Sequence, residues 1–316
     1  MTPELIGRAP NYLAAIRVLG RLALFDVPIL ISGETGTGKE LAARSVHYQS
    51  GRRDHPFVPV NCGMLTDSLL ENELFGHERG AFTDAREKSL GLVALAEGGT
   101  LFLDEVDSLS ARAQVSLLRF LQDQRYRPLG AAIDRRANVR IVAATNQDLD
   151  ELVAKGQFRA DLLFRLKLVC VELPPLRIRD GDPELLSEHF LDECARRFAQ
   201  PHKKLAPATI SWIHHYRWPG NVRELENFIQ REFLLCEGPT IAYASTDATP
   251  PAFEPTTSYR AAKASAIAEF DRRFLEQLLS RVDGNISRAA RETGKDRRAL
   301  GRLLKKYGIT PASFRL

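Results

Sequence analysis

The stretch that decides the fold is Gly33-Glu34-Thr35-Gly36-Thr37-Gly38-Lys39-Glu40, which follows an apolar run at Ile29–Ser32 and precedes a helical pattern. A strand, a glycine-rich turn and a helix in this order are the setting that a phosphate-binding P-loop requires. Glycines let backbone N–H groups close around phosphate oxygens, and the helix N-terminus adds positive potential. The stretch therefore predicts an ATP site in which Lys39 reaches the β- and γ-phosphates. A plain glycine-rich turn is the alternative, and the complete pattern in this context disfavours it.

One position departs from the general P-loop pattern. That pattern places Ser or Thr after the lysine, as a magnesium ligand, and here the residue is Glu40. A second motif offers another magnesium ligand, because the apolar run Leu101–Leu103 ends in the carboxylates of Asp104 and Glu105. This is a Walker B pattern, in which Asp104 would hold Mg²⁺ directly or through water and Glu105 would polarise the attacking water. A strand followed by an acidic helix cap is the alternative.

A third apolar run, Val139–Ala144, ends in Thr145 and Asn146. Asn146 could orient water or the γ-phosphate, although the same pair of residues at the end of a strand is equally typical of a turn.

Short β-rich runs alternate with helical patterns through the first half of the chain. Such alternation predicts an α/β fold with a parallel sheet covered by helices on both faces. We expect helices at Lys39–His47 and Ala111–Asp123. The expected strands are Pro28–Ser32, Phe57–Asn61, Thr100–Asp104, Val139–Ala144 and Leu168–Leu173.

The predicted domains follow from changes in pattern. Residues 1–175 form the α/β ATPase subdomain, and residues 176–238 form an all-helical lid. Residues 239–262 are rich in Pro, Thr, Ser and Ala without a sustained period, which indicates a linker. Residues 263–316 show a compact pattern of three helices.

Composition excludes several classes of protein. Apolar residues make up 44% and charged residues 27% of the chain, and no run approaches the ~20 apolar residues of a membrane helix. Residues 1–10 show no signal peptide. The four cysteines are scattered without C-x-x-C spacing, which disfavours a zinc site and favours buried thiols. We therefore expect a soluble cytoplasmic protein.

The C-terminal segment is a separate basic unit. From Tyr259 to Leu316 there are 14 Lys and Arg against 6 Asp and Glu, a net charge of +8, whereas the rest of the chain carries −4. Helices are predicted at Ser265–Val282, at Ile286–Thr293 and after Asp296, as in a helix-turn-helix. Arg297 and Arg298 would read bases in the major groove of DNA. The other outward basic residues of the third helix are Arg302, Lys305 and Lys306, of which the two lysines suit phosphate contacts. A three-helix oligomerisation bundle is the alternative.

Together these motifs resemble the AAA+ ATPases, and most closely the bacterial enhancer-binding proteins that activate sigma-54 RNA polymerase. The resemblance runs from about Leu5 to Ile309 and makes Glu40 a match, since that branch has its own P-loop variant. Beside the P-loop and Gly98–Glu105, it depends on the strings Glu73–Glu78, Gly80–Ala85, Phe158–Leu162 and Trp218–Leu225.

The resemblance implies further site residues. Arg159 and Arg165 look like arginine fingers that reach the γ-phosphate of a neighbouring subunit, which would make hydrolysis depend on assembly. Arg223 looks like the sensor arginine of the lid, and Asn61 resembles the residue that restrains the catalytic glutamate. Ile6 and Gly7 lie where the family packs adenine.

The loop Gly80–Ala85 resembles the one with which the family contacts sigma-54. By that resemblance Gly80, Ala81, Phe82, Thr83, Asp84 and Ala85 form the contact, with Phe82 and Thr83 touching the partner. The usual string ends in Gly-Ala, and here it ends in Asp84-Ala85. Asp84 adds a negative charge and removes a glycine that tolerates positive φ. A surface turn without a partner is the alternative. A second loop, Leu129–Arg136, is expected to move with the first.

The hypothesis is a sigma-54-dependent activator that binds enhancer DNA and hydrolyses ATP as a ring, expected to be a hexamer, to remodel the closed polymerase complex. The P-loop begins at residue 33, which leaves no room before it for a regulatory domain. Control by a separate regulatory protein in trans is therefore expected, and an omitted domain is the alternative. Two other functions stay open: a DNA-binding regulator that has lost sigma-54 activation through Asp84, and an ATP-driven enzyme that remodels DNA.

Overall fold

The structure is a computed structural model of the chain, and it describes residues 5–63, 67–82, 85, 87–243, 275, 278–279, 282, 285–293, 300–301 and 304. The chain forms two compact units, Met1–Tyr243 and Ala244–Leu316.

The first unit contains these elements. The strands are β1 Ile29–Ser32, β2 Phe57–Asn61, β3 Gly76–His77, β4 Ser89–Leu90, β5 Thr100–Asp104, β6 Arg125–Tyr126, β7 Arg135–Arg136, β8 Arg140–Thr145, β9 Cys170–Glu172, β10 Lys204–Leu205 and β11 Thr240–Ile241. The α-helices are α1 Pro10–Ala23, α2 Lys39–Tyr48, α3 Asp67–Phe75, α4 Leu92–Leu95, α5 Ala111–Asp123, α6 Leu149–Ala154, α7 Ala160–Leu166, α8 Asp182–Arg197, α9 Pro207–His215 and α10 Asn221–Leu235. Short 3₁₀ helices cover Val106–Ser108 and Leu176–Ile178.

A five-stranded parallel sheet is the centre of the first unit, with the strand order β2-β5-β8-β1-β9. All of its neighbouring strands are parallel, so their carboxyl ends meet at one edge. The register pairs Asn61 with Asp104 and Ser32 with Thr145. The residues that follow β1, β2, β5 and β8 are therefore neighbours in space, as expected for the ligand site of an open α/β sheet.

The two faces of the sheet carry separate hydrophobic cores, because successive side chains of a strand point to opposite faces. Leu101 and Leu103 pack under α3, α5 and α7, whereas Phe102 packs with residues of α1 and α2 on the other face. The sequence prediction of an α/β fold with helices on both faces is confirmed. The five predicted strands are all present, with ends that differ from the prediction by at most two residues.

The helical lid follows the sheet and comprises residues 176–243. Helices α8, α9 and α10 enclose a core rich in aromatic rings, in which Trp218 is fully buried and donates its indole N–H to the carbonyl of Ile213 at 2.9 Å. The prediction that the lid is all-helical and ends at residue 238 is wrong. Strand β11 pairs with β10, and Ile241 is buried in the lid core. The start of the predicted linker therefore belongs to the lid.

The second unit contains a helix at Ile286–Thr293, with the bounds that the sequence predicts. Asn285 accepts a hydrogen bond from the backbone N–H of Arg288 at 3.1 Å, which caps this helix. A small core unites the three predicted helical segments through Leu275, Leu278, Leu279, Val282, Ala289, Ala290, Leu300 and Leu304. The residues predicted to bind DNA lie outside the described residues, namely Arg297, Arg298, Arg302, Lys305 and Lys306.

Phe102 provides a test of the central sheet. Replacing it with Ala removes a buried ring from the interior, so we expect the free energy of unfolding to fall by about 3–5 kcal/mol. Phe25 is 60% exposed, and Phe25→Ala is the matched control with an expected change within about 0.5 kcal/mol. Urea unfolding followed by circular dichroism measures both, and equal losses would contradict the assignment of Phe102 to the core.

Candidate functional site

The P-loop, Gly33–Glu40, joins β1 to α2 in the conformation that its glycines allow. Gly36 and Gly38 adopt φ angles of 80° and 96°, a region that L side chains rarely occupy. The Thr37 hydroxyl donates to the carbonyl of Glu34 at 2.8 Å and closes the turn. The backbone N–H groups near the start of α2 thereby form the positive end of a helix, which suits a phosphate group.

Lys39 lies at the first turn of α2 with its side chain folded back into the P-loop. Its ammonium group donates to the carbonyl oxygens of Gly33 at 2.7 Å and Glu34 at 3.1 Å. Burial lowers the pKa of Lys39, and the nearby Asp104 carboxylate opposes that shift. The hydrogen bonds of this buried ammonium go to neutral carbonyl oxygens, so exchanging them for phosphate oxygens would favour its charged form, and the geometry fits a phosphate.

The end of β5 brings two carboxylates to the same place. Burial raises the pKa of Asp104, and the Lys39 ammonium opposes the shift. Glu105 adopts φ 56° and ψ 49°, a left-handed conformation that is uncommon for a residue other than glycine. Its backbone N–H donates to the Asp104 carboxylate at 3.1 Å. Backbone strain of this kind concentrates at functional sites, which agrees with the role predicted for Glu105.

Gly63 explains how the Glu105 carboxylate finds room. A Cβ added at Gly63 would lie 2.6 Å from Oε2 of Glu105 and 3.4 Å from Oδ1 of Asn61. The Asn61 oxygen accepts a hydrogen bond from the Gly63 backbone N–H at 2.9 Å. Asn61 and Glu105 thus both lie close to the space that a side chain at position 63 would occupy.

A cavity of about 210 Å³ unites residues that are far apart in the sequence. Arg223 of α10 closes it from the lid side. The other lining residues are Thr35, Gly36, Gly38, Lys39, Glu40, Leu41, Asp104, Glu105, Val222 and Glu226. Asn146 lies beside it and donates to the Thr35 hydroxyl oxygen at 3.1 Å. The carboxylate of Asp104 supplies oxygen donors of the kind that Mg²⁺ prefers.

The segment predicted to hold adenine lies against the beginning of the lid. The Ile6 carbonyl accepts from the Arg179 guanidinium at 3.0 Å, and Ile6 packs on the lid core. The carboxylate of Asp182 accepts from the backbone N–H groups of Arg8 and Ala9 at 2.6 and 3.0 Å. Arg179 and Asp182 form a fully buried ion pair at 2.7 Å. The sequence analysis missed this pair: its residues are only three positions apart, and what marks them out is their burial and their hydrogen bonds to the N-terminal segment, which only the fold creates.

The two arginines that the resemblance assigns to a neighbouring subunit are not among the residues that line this cavity. Arg159 precedes α7 and pairs with Asp161 at 2.7 Å, with both side chains about half exposed. Arg165 lies exposed in the last turn of the same helix. Exposed ion pairs contribute little to stability, so Arg159 is held only weakly.

The loop Gly80–Ala85 is a turn with an exposed aromatic tip. Gly80 donates to the carbonyl of Ala85 at 2.8 Å, and Ala85 donates to that of Phe82 at 3.0 Å. The Phe82 side chain is 45% exposed, and its ring centroid lies 4.9 Å from that of His77. Thr83 and Asp84 lie outside the described residues.

A second loop supports the first at its base. Glu78 donates to the carbonyl of Leu129 at 2.9 Å, and Leu129 donates to that of Gly76 at 2.8 Å. A Cβ at Gly130 would lie 2.9 Å from the Cβ of Ala81, so the two loops touch with no room for a side chain.

The expectation of buried thiols is confirmed for Cys62 and Cys194 but not for Cys236, which is partly exposed, or for Cys170. Cys62 is buried beneath the site, and burial raises its pKa to about 12. Cys170 at the start of β9 is exposed. Among the helices that the structure describes, none has both the length and the apolar character that crossing a membrane requires.

A P-loop, an acidic strand end beside it and an arginine from a helical lid, on this parallel sheet, define an AAA+ ATPase. Comparison with known families agrees. Residues 5–172 match the sigma-54 interaction domain, residues 177–264 the AAA+ ATPase lid domain, and residues 266–307 the bacterial regulatory proteins of the Fis family. The chain belongs to the family of AAA+ ATPases with a sigma-54 interaction domain, as the resemblance predicts.

Several bacterial regulators are similar to the chain. It is 39% identical over 318 residues to the regulatory protein AtoC of Escherichia coli, covering 98% of this chain and 68% of that protein. It is 40% identical over 296 residues to the transcriptional regulatory protein ZraR of Salmonella typhimurium, covering 94% of this chain and 67% of that protein. The crystal structure of NtrX from Brucella abortus in complex with ATP has a TM-score of 0.75 at 33% identity, covering 97% of this chain and 70% of that one. The chain thus spans about two thirds of the length of these relatives.

Gly36 provides a test of the contact between the P-loop and the lid. A Cβ at Gly36 would lie 2.1 Å from the carbonyl oxygen of Gly220, whereas one at Gly38 meets nothing within 4 Å. Both positions have positive φ, so Gly36→Ala and Gly38→Ala carry the same kind of backbone strain. We expect Gly36→Ala to lower the free energy of unfolding of the nucleotide-free protein by an extra ~1–3 kcal/mol for overpacking, and therefore to have the lower thermal midpoint of the two. Equal midpoints would show that the lid does not contact Gly36.

Proposed function

We propose that the protein is a sigma-54-dependent transcription activator that assembles into a ring, expected to be a hexamer, with ATP bound at the seam between neighbouring copies. Hydrolysis would move the Gly80–Ala85 loop and so remodel the closed RNA polymerase complex. The observation that carries the proposal is that Lys39, Asp104 and Glu105 meet in one cavity while Arg159 and Arg165 remain exposed outside it.

The placement of the arginines supports a shared site. Charge develops on the γ-phosphate oxygens during hydrolysis, and a guanidinium that neutralises it accelerates the reaction by about 10³–10⁵-fold. Arg223 enters the cavity from the lid of the same chain. The exposed side of α7 carries Arg165 and the 80% exposed ring of Phe164, and Arg159 lies just before the helix. This surface is suited to contact a second copy, where the arginines would complete the site.

A short path joins the site to the loop. Asn61 ends β2 beside Glu105, and α3 follows a few residues later and leads directly into the Gly80–Ala85 loop. Glu78 at the foot of the loop pairs with Lys88 at 3.4 Å and with Arg135 of the second loop. A shift at Asn61 on loss of the γ-phosphate would therefore reach both loops together. The exposed Phe82 ring is the apolar tip that would dock on sigma-54.

Mg²⁺ would be held by Asp104, directly or through water, because a carboxylate on the phosphate side of the cavity is its usual protein ligand. When bound, the ion neutralises phosphate charge. Lys39 binds the phosphates, and Glu105 holds and polarises the attacking water.

The basic second unit would bind enhancer DNA through Arg297, Arg298, Arg302, Lys305 and Lys306, and so raise the local concentration of subunits near the promoter. With these partners the protein would act in the cytoplasm, and we propose that a separate regulatory protein would control it in trans.

Mixing two inactive variants tests the shared site. Glu105→Gln retains the phosphate site but loses the water-activating carboxylate, so hydrolysis should fall by about 10²–10⁴-fold. Arg159→Ala should lower the rate of ATP hydrolysis by about 10³-fold or more. In an equimolar mixture about one seam in four carries both intact residues, because a heterologous interface joins residue 105 of one copy to residue 159 of the next. The rate of phosphate release by the mixture should therefore return to a sizeable fraction of the wild-type rate. Arg165→Ala mixed with Glu105→Gln in place of Arg159→Ala should give the same result.

Arg231→Ala is the matched control, because Arg231 is exposed and pairs with an adjacent acid as Arg159 does. It should keep wild-type activity. A mixture that stays as inactive as its components would contradict a site shared between copies.

Phe82→Ala tests the loop. It removes the exposed ring at a distance from the nucleotide cavity, so we expect ATP hydrolysis within about twofold of wild type and loss of open-complex formation by sigma-54 polymerase. Leu24→Ala, at a 77% exposed position elsewhere on the first unit, should leave both activities intact.

The wild-type protein itself distinguishes the alternative functions. If it fails to activate sigma-54 polymerase yet binds DNA, the protein is a regulator that has lost activation. Strand separation on free duplex without polymerase would favour the DNA-remodelling enzyme.

A further inference from the structure

The beginning of α10 rests on the outer side of the P-loop. The Asn221 side-chain amide donates to the carbonyl of Thr35 at 2.9 Å, and the Val222 backbone N–H donates to the carbonyl of Gly36 at 3.0 Å. The carbonyl of Gly220 lies so near Gly36 that a Cβ there would be 2.1 Å from it. The lid therefore touches backbone atoms of residues 35 and 36.

Asn221 is built tightly into this contact. It is fully buried and has φ 53°, a left-handed conformation that Asn tolerates better than most residues. Besides its bond to Thr35, its amide donates to the Glu34 carboxylate at 3.2 Å and its oxygen accepts from the backbone N–H of Leu176 at 2.8 Å. Both donor hydrogens and the acceptor are used, and they join the P-loop to the start of the lid.

A second link joins the same parts. The guanidinium of Arg177 donates two parallel hydrogen bonds to the Glu34 carboxylate, at 2.7 and 2.6 Å. Arg177 lies in the 3₁₀ helix at the junction of β9 and the lid, and its hydrogen bonds hold the pKa of Glu34 below the ordinary value. Both side chains are partly exposed, so the pair matters for geometry more than for stability.

The inner side of the same strip of backbone holds the phosphate-binding lysine. The Lys39 ammonium donates to the carbonyls of Gly33 and Glu34. A phosphate that drew the ammonium away would take the donor from both carbonyls, in the strip of backbone that Asn221 and Val222 contact from the other side. Arg223 lies only two residues beyond Asn221.

We propose that Asn221, Glu34 and Arg177 form a clamp that reports phosphate occupancy of the P-loop to the lid and positions Arg223 over the nucleotide. They are positioning residues, since they act through Arg223 and the P-loop backbone. The lid does not need the clamp to stay attached, because the buried pair of Arg179 and Asp182 anchors it independently to the N-terminal segment.

The test uses the full-length chain with Asn221→Ala, Asn221→Gly and Arg177→Gln, each with and without Arg223→Ala. Loss of buried hydrogen bonds predicts about a tenfold weaker affinity for ADP in both Asn221 variants, measured by calorimetry. Asn221→Gly keeps the left-handed backbone and removes only the amide. In the clamp variants Arg223 is already misplaced, so adding Arg223→Ala should weaken the affinity for ADP little further. The loss in each double variant should therefore be at least about fivefold smaller than the product of the two single losses. Arg177→Gln, at an exposed position, should show the same coupling in kcat and keep the wild-type thermal midpoint.

Glu184→Gln is the control, because it breaks an exposed ion pair with Arg8 that also joins the lid to the N-terminal segment but lies away from the phosphates. It should keep the wild-type affinity for ADP. The proposal is overturned if Asn221→Gly binds ADP as the wild type does, since only the backbone conformation would then matter. It is equally overturned if the effects of Arg223→Ala and Arg177→Gln on kcat multiply independently.

Discussion

The parallel register of the central sheet is the constraint on which the rest of the molecule depends. Because β2, β5, β8 and β1 run in the same direction and their ends are aligned, Asn61, Asp104, Thr145 and the P-loop all emerge at one edge. A shift by one residue in any of these strands would turn each of its side chains to the opposite face. The hydrophobic cores on the two faces forbid that shift, since Leu101 and Leu103 belong to one core and Phe102 to the other. The packing of the sheet thus fixes the catalytic geometry.

Electrostatics in the site favour an anion. Burial disfavours the charged form of both Lys39 and Asp104, which lowers the pKa of the first and raises that of the second. Each group partly compensates the other, because the Asp104 carboxylate raises the pKa of Lys39 and the Lys39 ammonium lowers that of Asp104. A polyphosphate next to Lys39 and a divalent cation next to Asp104 would restore what burial removes. The left-handed backbone at Glu105 shows that the surrounding structure holds this end of β5 in place.

The sequence predicts the parts of the fold that have local causes. The apolar runs predict the five strands and the glycine spacing predicts the P-loop, because both patterns lie within a few consecutive residues. Ile241 was assigned to a linker, since a two-residue strand leaves no period to detect. Asn221 and Arg177 were missed for another reason. Their partners lie more than 140 positions away in the chain, and only the docking of the lid brings them to Glu34. The string around Arg223 was noticed, but nothing local distinguishes an asparagine that contacts the P-loop from one that caps a helix. The roles of Arg159 and Arg165 stay predictions, because they concern a neighbouring copy.

The position of Gly63 has a consequence for how nucleotide binding and the loop influence each other. It lies close to the Asn61 oxygen and the Glu105 carboxylate, and the chain continues from it through α3 and β3 to the loop that carries Phe82. A linkage of this kind is reciprocal, because two binding events coupled through one element change each other's affinity by the same factor. If nucleotide state alters how tightly the loop holds a protein, then that protein must alter nucleotide affinity equally. The polymerase would thus be an allosteric ligand of the ATPase as much as its load.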